Sequence, residues 1–249
     1  MKKLVIANFK MNQTVEETKV YFTKLLCKLS NENIQVIVCP SFTSLSIANF
    51  FTSGTNVKLG AQNVADEDSV LQTGEISPKM LRSIGVEYIL VGHPERRVKF
   101  RESNLTINKK IKNALKQGLK CILCVGESYV EKNNLKTAEV LKKQLDECLK
   151  GLYENELESV IIAYEPFWAV GSGNYPTVKD IELGAKVVRK VINDNYSEKA
   201  ARDICVVYGG GLNSINYVKL LSAKGIDGAI IGAAALDVDV FVNMINRMK

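Results

Sequence analysis

The sequence predicts an α/β fold, a single-domain closed (β/α)8 barrel spanning residues 1–249. Three observations lead there. Eight short apolar runs recur along the chain, separated by amphipathic stretches of helical period. Strict alternation of strand and helix requires parallel pairing through right-handed crossovers. Eight such units fit a chain of 249 residues, and no glycine-rich dinucleotide fingerprint follows the first strand, which favours a closed barrel over an open sheet. No linker, low-complexity segment or composition break argues for a second domain.

The apolar runs fall at 3–7, 35–39, 57–61, 86–91, 119–125, 159–164, 204–208 and 226–231. They are short and largely continuous rather than alternating, as expected of strands buried on both faces. Helical periodicity marks Val15 to Leu29, Leu105 to Leu115, Ala138 to Leu152, Val178 to Ile192, Ile215 to Leu221 and Val240 to Met248. Thr14 ahead of Glu17 and Thr177 ahead of Asp180 fit capping boxes or acidic first turns. One connection is long. Residues 62–77 exceed a minimal turn, and such a loop either docks on a partner subunit or decorates the surface.

With 46% apolar and 24% charged residues, the composition is that of an ordinary soluble protein. The net charge of +6 comes from cations scattered at helical spacing, such as Lys142, Lys143, Lys186, Arg189 and Lys190. No dense basic run interleaved with aromatics points to nucleic acid. Met1 to Asn8 holds two lysines and then only four apolar residues, too few for a signal-peptide core or a membrane span, so a cytoplasmic location is expected. Most of the six cysteines sit in apolar strands or helices. Cys121 and Cys124 match Cys-x-x-Cys, but on a strand they face opposite ways, so reduced thiols are expected rather than a redox or zinc site. With a single histidine, a His-based metal site is not expected.

Barrels assemble their sites at the C-terminal strand tips. The sixth apolar run ends at Glu165, followed by Pro166-Phe167-Trp168-Ala169-Val170-Gly171-Ser172-Gly173. Pro166 fixes one φ and the glycines free the far end, which suits a hinged lid over about 166–176 beside an acid/base. The alternative is a plain connection with an incidental Glu. The first strand ends in Asn8-Phe9-Lys10, where the lysine is either a rim charge or a cation in the mouth. The fourth ends in Gly92-His93-Pro94-Glu95-Arg96-Arg97, carrying the only histidine. Pro94 suits the first position of a helix, which puts His93 at a helix N-terminus, where the dipole disfavours the imidazolium. A neutral imidazole there could polarise a carbonyl; a merely structural histidine is the other reading. The last two strands end in Tyr208-Gly209-Gly210-Gly211-Leu212-Asn213 and Ile231-Gly232-Ala233-Ala234-Ala235, each expected to lead into a helix and so to offer a phosphate site.

Asn8-Phe9-Lys10-Met11-Asn12, Gly92-His93-x-Glu95-Arg96-Arg97, Ala163-Tyr164-Glu165-Pro166-x-Trp168-Ala169-x-Gly171-x-Gly173 and Tyr208-Gly209-Gly210, in this order, resemble the triosephosphate isomerase family from the first strand to the last. The resemblance implies a TIM barrel that interconverts dihydroxyacetone phosphate and D-glyceraldehyde 3-phosphate through an enediolate, in glycolysis and gluconeogenesis, with no metal or organic cofactor. It implies Glu165 as base, His93 as neutral electrophile, Lys10 as the cation near substrate, Asn8 as an oxyanion partner and Glu95 as the glutamate beside the lysine. The substrate phosphate would lie at Gly171, Gly211, Gly232 and Ala233. A homodimer is implied, with the 62–77 loop crossing between subunits and Thr73 and Met11 in the contact.

Several positions depart from the family pattern. Pro94 replaces a serine, so Glu165 is expected to be held outward less tightly in the open state. Gly211 replaces a serine and Ala233 a glycine; both keep backbone donors. Asn174-Tyr175-Pro176 is unusual, and Pro176 is expected to stiffen the far hinge and slow opening. Two other functions stay open: an isomerase for a neighbouring sugar phosphate, if Gly211 and Ala233 reshape the phosphate end, and an impaired barrel kept as a scaffold. Intact Asn8, Lys10, His93 and Glu165 speak against the scaffold.

Overall fold

The strands β1 (Lys3–Asn8), β2 (Ile34–Cys39), β3 (Val57–Ala61), β4 (Tyr88–Val91), β5 (Lys120–Val125), β6 (Val160–Tyr164), β7 (Cys205–Gly209) and β8 (Gly228–Ile231) close in chain order into one parallel barrel in the computed structural model. It describes residues 3–31, 33–67, 71–171 and 173–248, so Ser172 of the lid segment and residues 68–70 of the long loop lie outside the described residues. Closure is sealed by β8 against β1, where Leu4 pairs with Gly228 and Ala7 with Ile231.

Burial on both faces explains the continuous apolar runs. Leu4, Ile6, Leu90, Ile122, Ala163 and Ile230 point inward and fill the barrel, while Val5, Ala7, Ile89, Leu123 and Ile162 pack outward under the helices. Cys121 belongs to the outer layer and Cys124 to the inner one, as strand alternation requires. All six cysteines are free, and Cys27, unlike the others, is exposed.

The same alternation aims the strand tips. In β1 the inward series Leu4, Ile6 continues to Asn8, and in β6 the inward Ala163 is followed two residues later by Glu165. Both expected capping boxes form: Thr14 with Glu17 opens the helix Val15–Lys28, and Thr177 with Asp180 opens Val178–Asn195. The helix expected over 215–221 shortens to Tyr217–Leu220. Asparagine side chains explain why. Asn213 Oδ1 accepts from the backbone N–H groups of Ile215 (2.9 Å) and Asn216 (3.1 Å), and these local bonds compete with helix formation. After β8 the chain makes a 3-10 turn, Ala233–Ala235, before the helix Val238–Asn246. Neither glycine cluster therefore runs straight into an α-helix, which corrects that expectation.

The described parts of the 62–77 loop are tied to the barrel wall. Ala65 N–H donates to Ile76 O at 2.9 Å, and Lys110 Nζ donates to Asn63 Oδ1 at 2.8 Å. Among the described residues, no helix is long and apolar enough to cross a membrane.

Candidate active site

Asn8, Lys10, His93 and Glu165 come together at the C-terminal mouth, around a cavity of about 290 Å³ whose far side is Gly171, Gly211, Gly232 and Ala233. Its size suits a small metabolite. Glu95 stands just behind, joined to Lys10. Thr73 and Met11 take no part in the cavity; both are exposed, Met11 to 97%.

Lys10 adopts a left-handed backbone with φ 54°, an uncommon conformation for a non-glycine residue. Polar contacts hold it there. Its N–H donates to Asn8 Oδ1 at 3.0 Å, and Gln62 Nε2 donates to its carbonyl at 2.8 Å. The turn brings Nζ within 2.6 Å of Glu95 Oε1. Burial pushes the Glu95 carboxyl up, but the hydrogen-bonded Lys10 ammonium, helped by Lys99, outweighs it and leaves that group below the ordinary carboxyl range. Lys10 is thus a cation in the mouth, not a rim charge.

His93 caps the helix Pro94–Lys99, with Pro94 in the first turn as its missing N–H predicts. The backbone N–H of Glu95 donates to His93 Nδ1 at 3.3 Å. A nitrogen that accepts carries no proton, so in this arrangement the ring proton resides on Nε2, the atom that faces the cavity and lies 3.8 Å from Glu165 Oε2. Arg97 braces this tip from behind, donating from Nε to Gly92 O (2.7 Å) and from Nη2 to Cys124 O (3.1 Å). Deeper still, the carboxylate of buried Glu102 pairs with Lys110 and with Arg96 Nε, at 2.6 Å for Arg96, anchoring the helix that carries His93 and Glu95.

Glu165 is buried, yet its Oε1 accepts no hydrogen bond from any described residue. Pro94 has no hydroxyl or N–H to offer. Gly209 and Cys124 border the carboxylate instead. Gly209, its neighbour across the strands, makes room for it: a Cβ there would lie 2.8 Å from both Cγ and Oε2 of Glu165. Cys124 lies beneath. Burial first, and the adjacent carboxylate second, push its thiol well above the ordinary range, so it stays protonated.

Sequence reasoning did not single out the residues that hold the start of the 166–176 segment. Trp168 Nε1 donates to Glu127 Oε1 at 3.0 Å, Tyr164 Oη lies 3.2 Å from both Glu127 oxygens, and the Phe167 N–H donates to Glu127 O at 2.9 Å. Burial raises the Glu127 carboxyl above its ordinary value, although Trp168, Tyr164 and Lys132 oppose the shift. Lys132 sits 3.8 Å from the centre of the Trp168 ring and 3.2 Å from Asp180 Oδ2, bridging the segment that carries Trp168 to the helix Val178–Asn195. The signal available in sequence was Ser128 ahead of Glu131, which caps the short helix Tyr129–Asn133 presenting Lys132. On the far side of the cavity, the space beside Gly211 is filled by the Tyr175 ring, so a glycine there does not enlarge the cavity on that side.

The comparisons agree with this geometry. The triosephosphate isomerase family model matches residues 3–248. A protein of Dictyoglomus thermophilum named triosephosphate isomerase is 42% identical over 246 residues, 98% of each chain. One of the same name from Alkaliphilus metalliredigens is 39% identical over 247 residues, 99% of this chain and 100% of the other. A third, from Finegoldia magna, is 37% identical over 249 residues, 100% of this chain and 99% of its own. With the match running through every strand of the barrel and every strand tip around the cavity, the chain belongs to the triosephosphate isomerase family.

Proposed function

We propose that this protein interconverts dihydroxyacetone phosphate and D-glyceraldehyde 3-phosphate, the aldose–ketose isomerisation of glycolysis and gluconeogenesis, with Glu165 and His93 as its acid/base pair. The observation that carries the reading is a buried carboxylate 3.8 Å from the Nε2 of a histidine whose other nitrogen accepts a backbone N–H, both facing a cavity that ends in glycine turns. Glu165 takes a proton from the carbon beside the carbonyl. The freed electron pair forms the carbon–carbon double bond, and the charge arriving on oxygen is met by Nε2–H of His93, with Asn8 and Lys10 alongside. Glu165 then returns the proton to the neighbouring carbon, while the hydroxyl proton on the first carbon passes by way of His93 Nε2 to the other oxygen, so that the first carbon becomes the aldehyde carbonyl. This proton transfer needs a base, an electrophile and a dry site, and calls on no metal or organic cofactor.

The phosphate is assigned to the turns at Gly171, Gly211, Gly232 and Ala233, which offer main-chain donors, with Lys10 supplying positive charge across the cavity. Residues 166–176 act as a lid, a reading supported by the clamp at Trp168 and the left-handed φ of 68° and 76° at Gly171 and Gly173. A cytoplasmic homodimer belongs to the same reading. In its favour, all cysteines are free, and Met11 lies fully exposed after Lys10, whose carbonyl is held by Gln62 at the foot of the loop bearing Thr73.

A coupled assay with glyceraldehyde 3-phosphate, competed by 2-phosphoglycolate, tests the activity. Turnover with competitive inhibition supports the assignment, and its absence in folded protein rejects it. Sedimentation tests the dimer.

A further inference from the structure

The far end of the lid meets the phosphate-end turn through a contact that the near end does not resemble. A Cβ built on Gly211 would lie 2.8 Å from Cδ1 and 3.0 Å from Cε1 of Tyr175. Gly211 also holds a φ of 64°, in the left-handed region. The turn beneath the ring is well organised: Asn216 Nδ2 donates to Gly211 O at 2.9 Å, and Asn213 N–H donates to Asn216 Oδ1 at 2.9 Å. Asn213 Nδ2 reaches the Tyr175 hydroxyl at a long 3.5 Å. The lid tip stands clear by contrast, since a Cβ on Gly171 or Gly173 would meet nothing within 4 Å. Pro176 follows the tyrosine and biases its backbone toward extended conformations, which restricts where the ring can go.

We infer that Tyr175 is a positioning residue. Its ring rests on Gly211, restrains the turn 211–216 at the phosphate end of the cavity, and occupies the volume a side chain at 211 would need. Ring and side chain are mutually exclusive occupants of one space. This explains together two oddities of the sequence, an aromatic residue at the far hinge and a third consecutive glycine after Tyr208. A glycine turn is intrinsically loose. Here the Tyr175 ring adds, from outside the turn, to the restraint that the Asn213 and Asn216 side chains supply from within it. The kinetic consequence rests on the isomerase reading; the contact between ring and turn does not.

The test compares wild type with Tyr175→Ala, Tyr175→Phe, Gly211→Ser and the double variant Tyr175→Ala/Gly211→Ser. Two quantities are read: the inhibition constant of 2-phosphoglycolate, and amide hydrogen exchange over residues 211–216 in the ligand-free protein. Ordering one side chain at a binding surface corresponds to roughly a two- to tenfold change, so Tyr175→Ala is expected to weaken inhibition by that factor and to speed exchange in the turn. Tyr175→Phe, which keeps the ring, stays within about twofold of wild type because the lost hydroxyl contact is long. Gly211→Ser combines left-handed strain with a clash and weakens inhibition by about tenfold or more. The double variant is expected to be no weaker than Gly211→Ser alone, because removing the ring relieves the clash. Losses that multiply, or a Tyr175→Ala protein with wild-type inhibition and exchange, would overturn the inference. If wild type neither turns over triose phosphate nor binds 2-phosphoglycolate, the isomerase reading fails, and exchange in the turn still decides the role of the ring.

Discussion

Across the mouth, Asn8, Lys10, His93 and Glu165 present side chains, whereas Gly211, Gly232 and Ala233 present main chain. The side-chain wall depends on a second layer: Glu95 holds Lys10, a backbone N–H orients His93, and the Glu102 cluster anchors the helix behind them. The main-chain wall depends on what is missing, because its turns can approach a ligand only where Cβ atoms are absent or small. The two sides meet where Glu165 lies against Gly209, at the root of the main-chain wall, and again where Lys10 Cε lies 3.5 Å from the Cβ position of Gly232. A charged group can be positioned by a partner at its own end; a bare backbone is positioned by hydrogen bonds to its peptide groups, such as Asn216 to Gly211 O, and by whatever packs on it. The segment after Glu165 repeats the contrast, with a hydrogen-bonded clamp at Trp168 and a ring on a glycine at Tyr175.

The largest effect should come from removing the chemistry of the side-chain wall. Glu165→Gln is expected to lower kcat by roughly 10²–10⁴-fold while 2-phosphoglycolate still binds, measured in the coupled assay. Near-normal turnover would dissolve the distinction between the walls. Removing the second layer should act on stability instead. Glu102→Gln leaves buried Lys110 without its ionic partner and is expected to cost about 3–5 kcal/mol in denaturant unfolding. Burial raises the Glu102 carboxyl, but Lys110 and Arg96 outweigh it and hold it below 4.5. A lowered carboxyl gives stability that is present above 4.5 and lost as pH falls through its folded value, so the gap between wild type and variant should close in acid.

Gly209→Ala probes one point where the walls touch. Its Cβ would fall 2.4 Å from Ile230 Cγ2 and against Glu165, so about 1–3 kcal/mol of overpacking is expected, with a loss in kcat of about a hundredfold if the base is displaced by 1 Å. Unchanged kcat would mean that Glu165 is not held sterically. The smallest effect is expected at the near hinge. Trp168→Phe removes a donor to buried Glu127 and should cost about 1–3 kcal/mol. Because burial raises the Glu127 carboxyl, that group favours folding below 4.5 and the benefit fades as pH rises through its folded value. The Trp168→Phe deficit should therefore be larger at about pH 8 than at about pH 4.5, read from denaturant midpoints.

The side-chain wall was legible because each member ends a strand and carries a distinctive group. Pro94 even announced the helix that His93 caps. The main-chain wall was legible only as glycine clusters; the helix expected directly after the first is displaced by the asparagine bonds of 213 and 216, and after the second a 3-10 turn over Ala233–Ala235 intervenes. The Glu127 clamp was not legible. Nothing in the spacing of Glu127, Tyr164 and Trp168 tells that the ends of two neighbouring strands, β5 and β6, meet at one carboxylate.

The sequence by itself determined the barrel and the residues at its tips, because apolar period and strand-end chemistry are local properties of the chain. Only the tertiary structure decided which side of each glycine is already occupied. Steric exclusion between Gly209 and Glu165, or between Gly211 and Tyr175, is a distance between segments far apart in sequence, set by how β6 and β7 pack side by side.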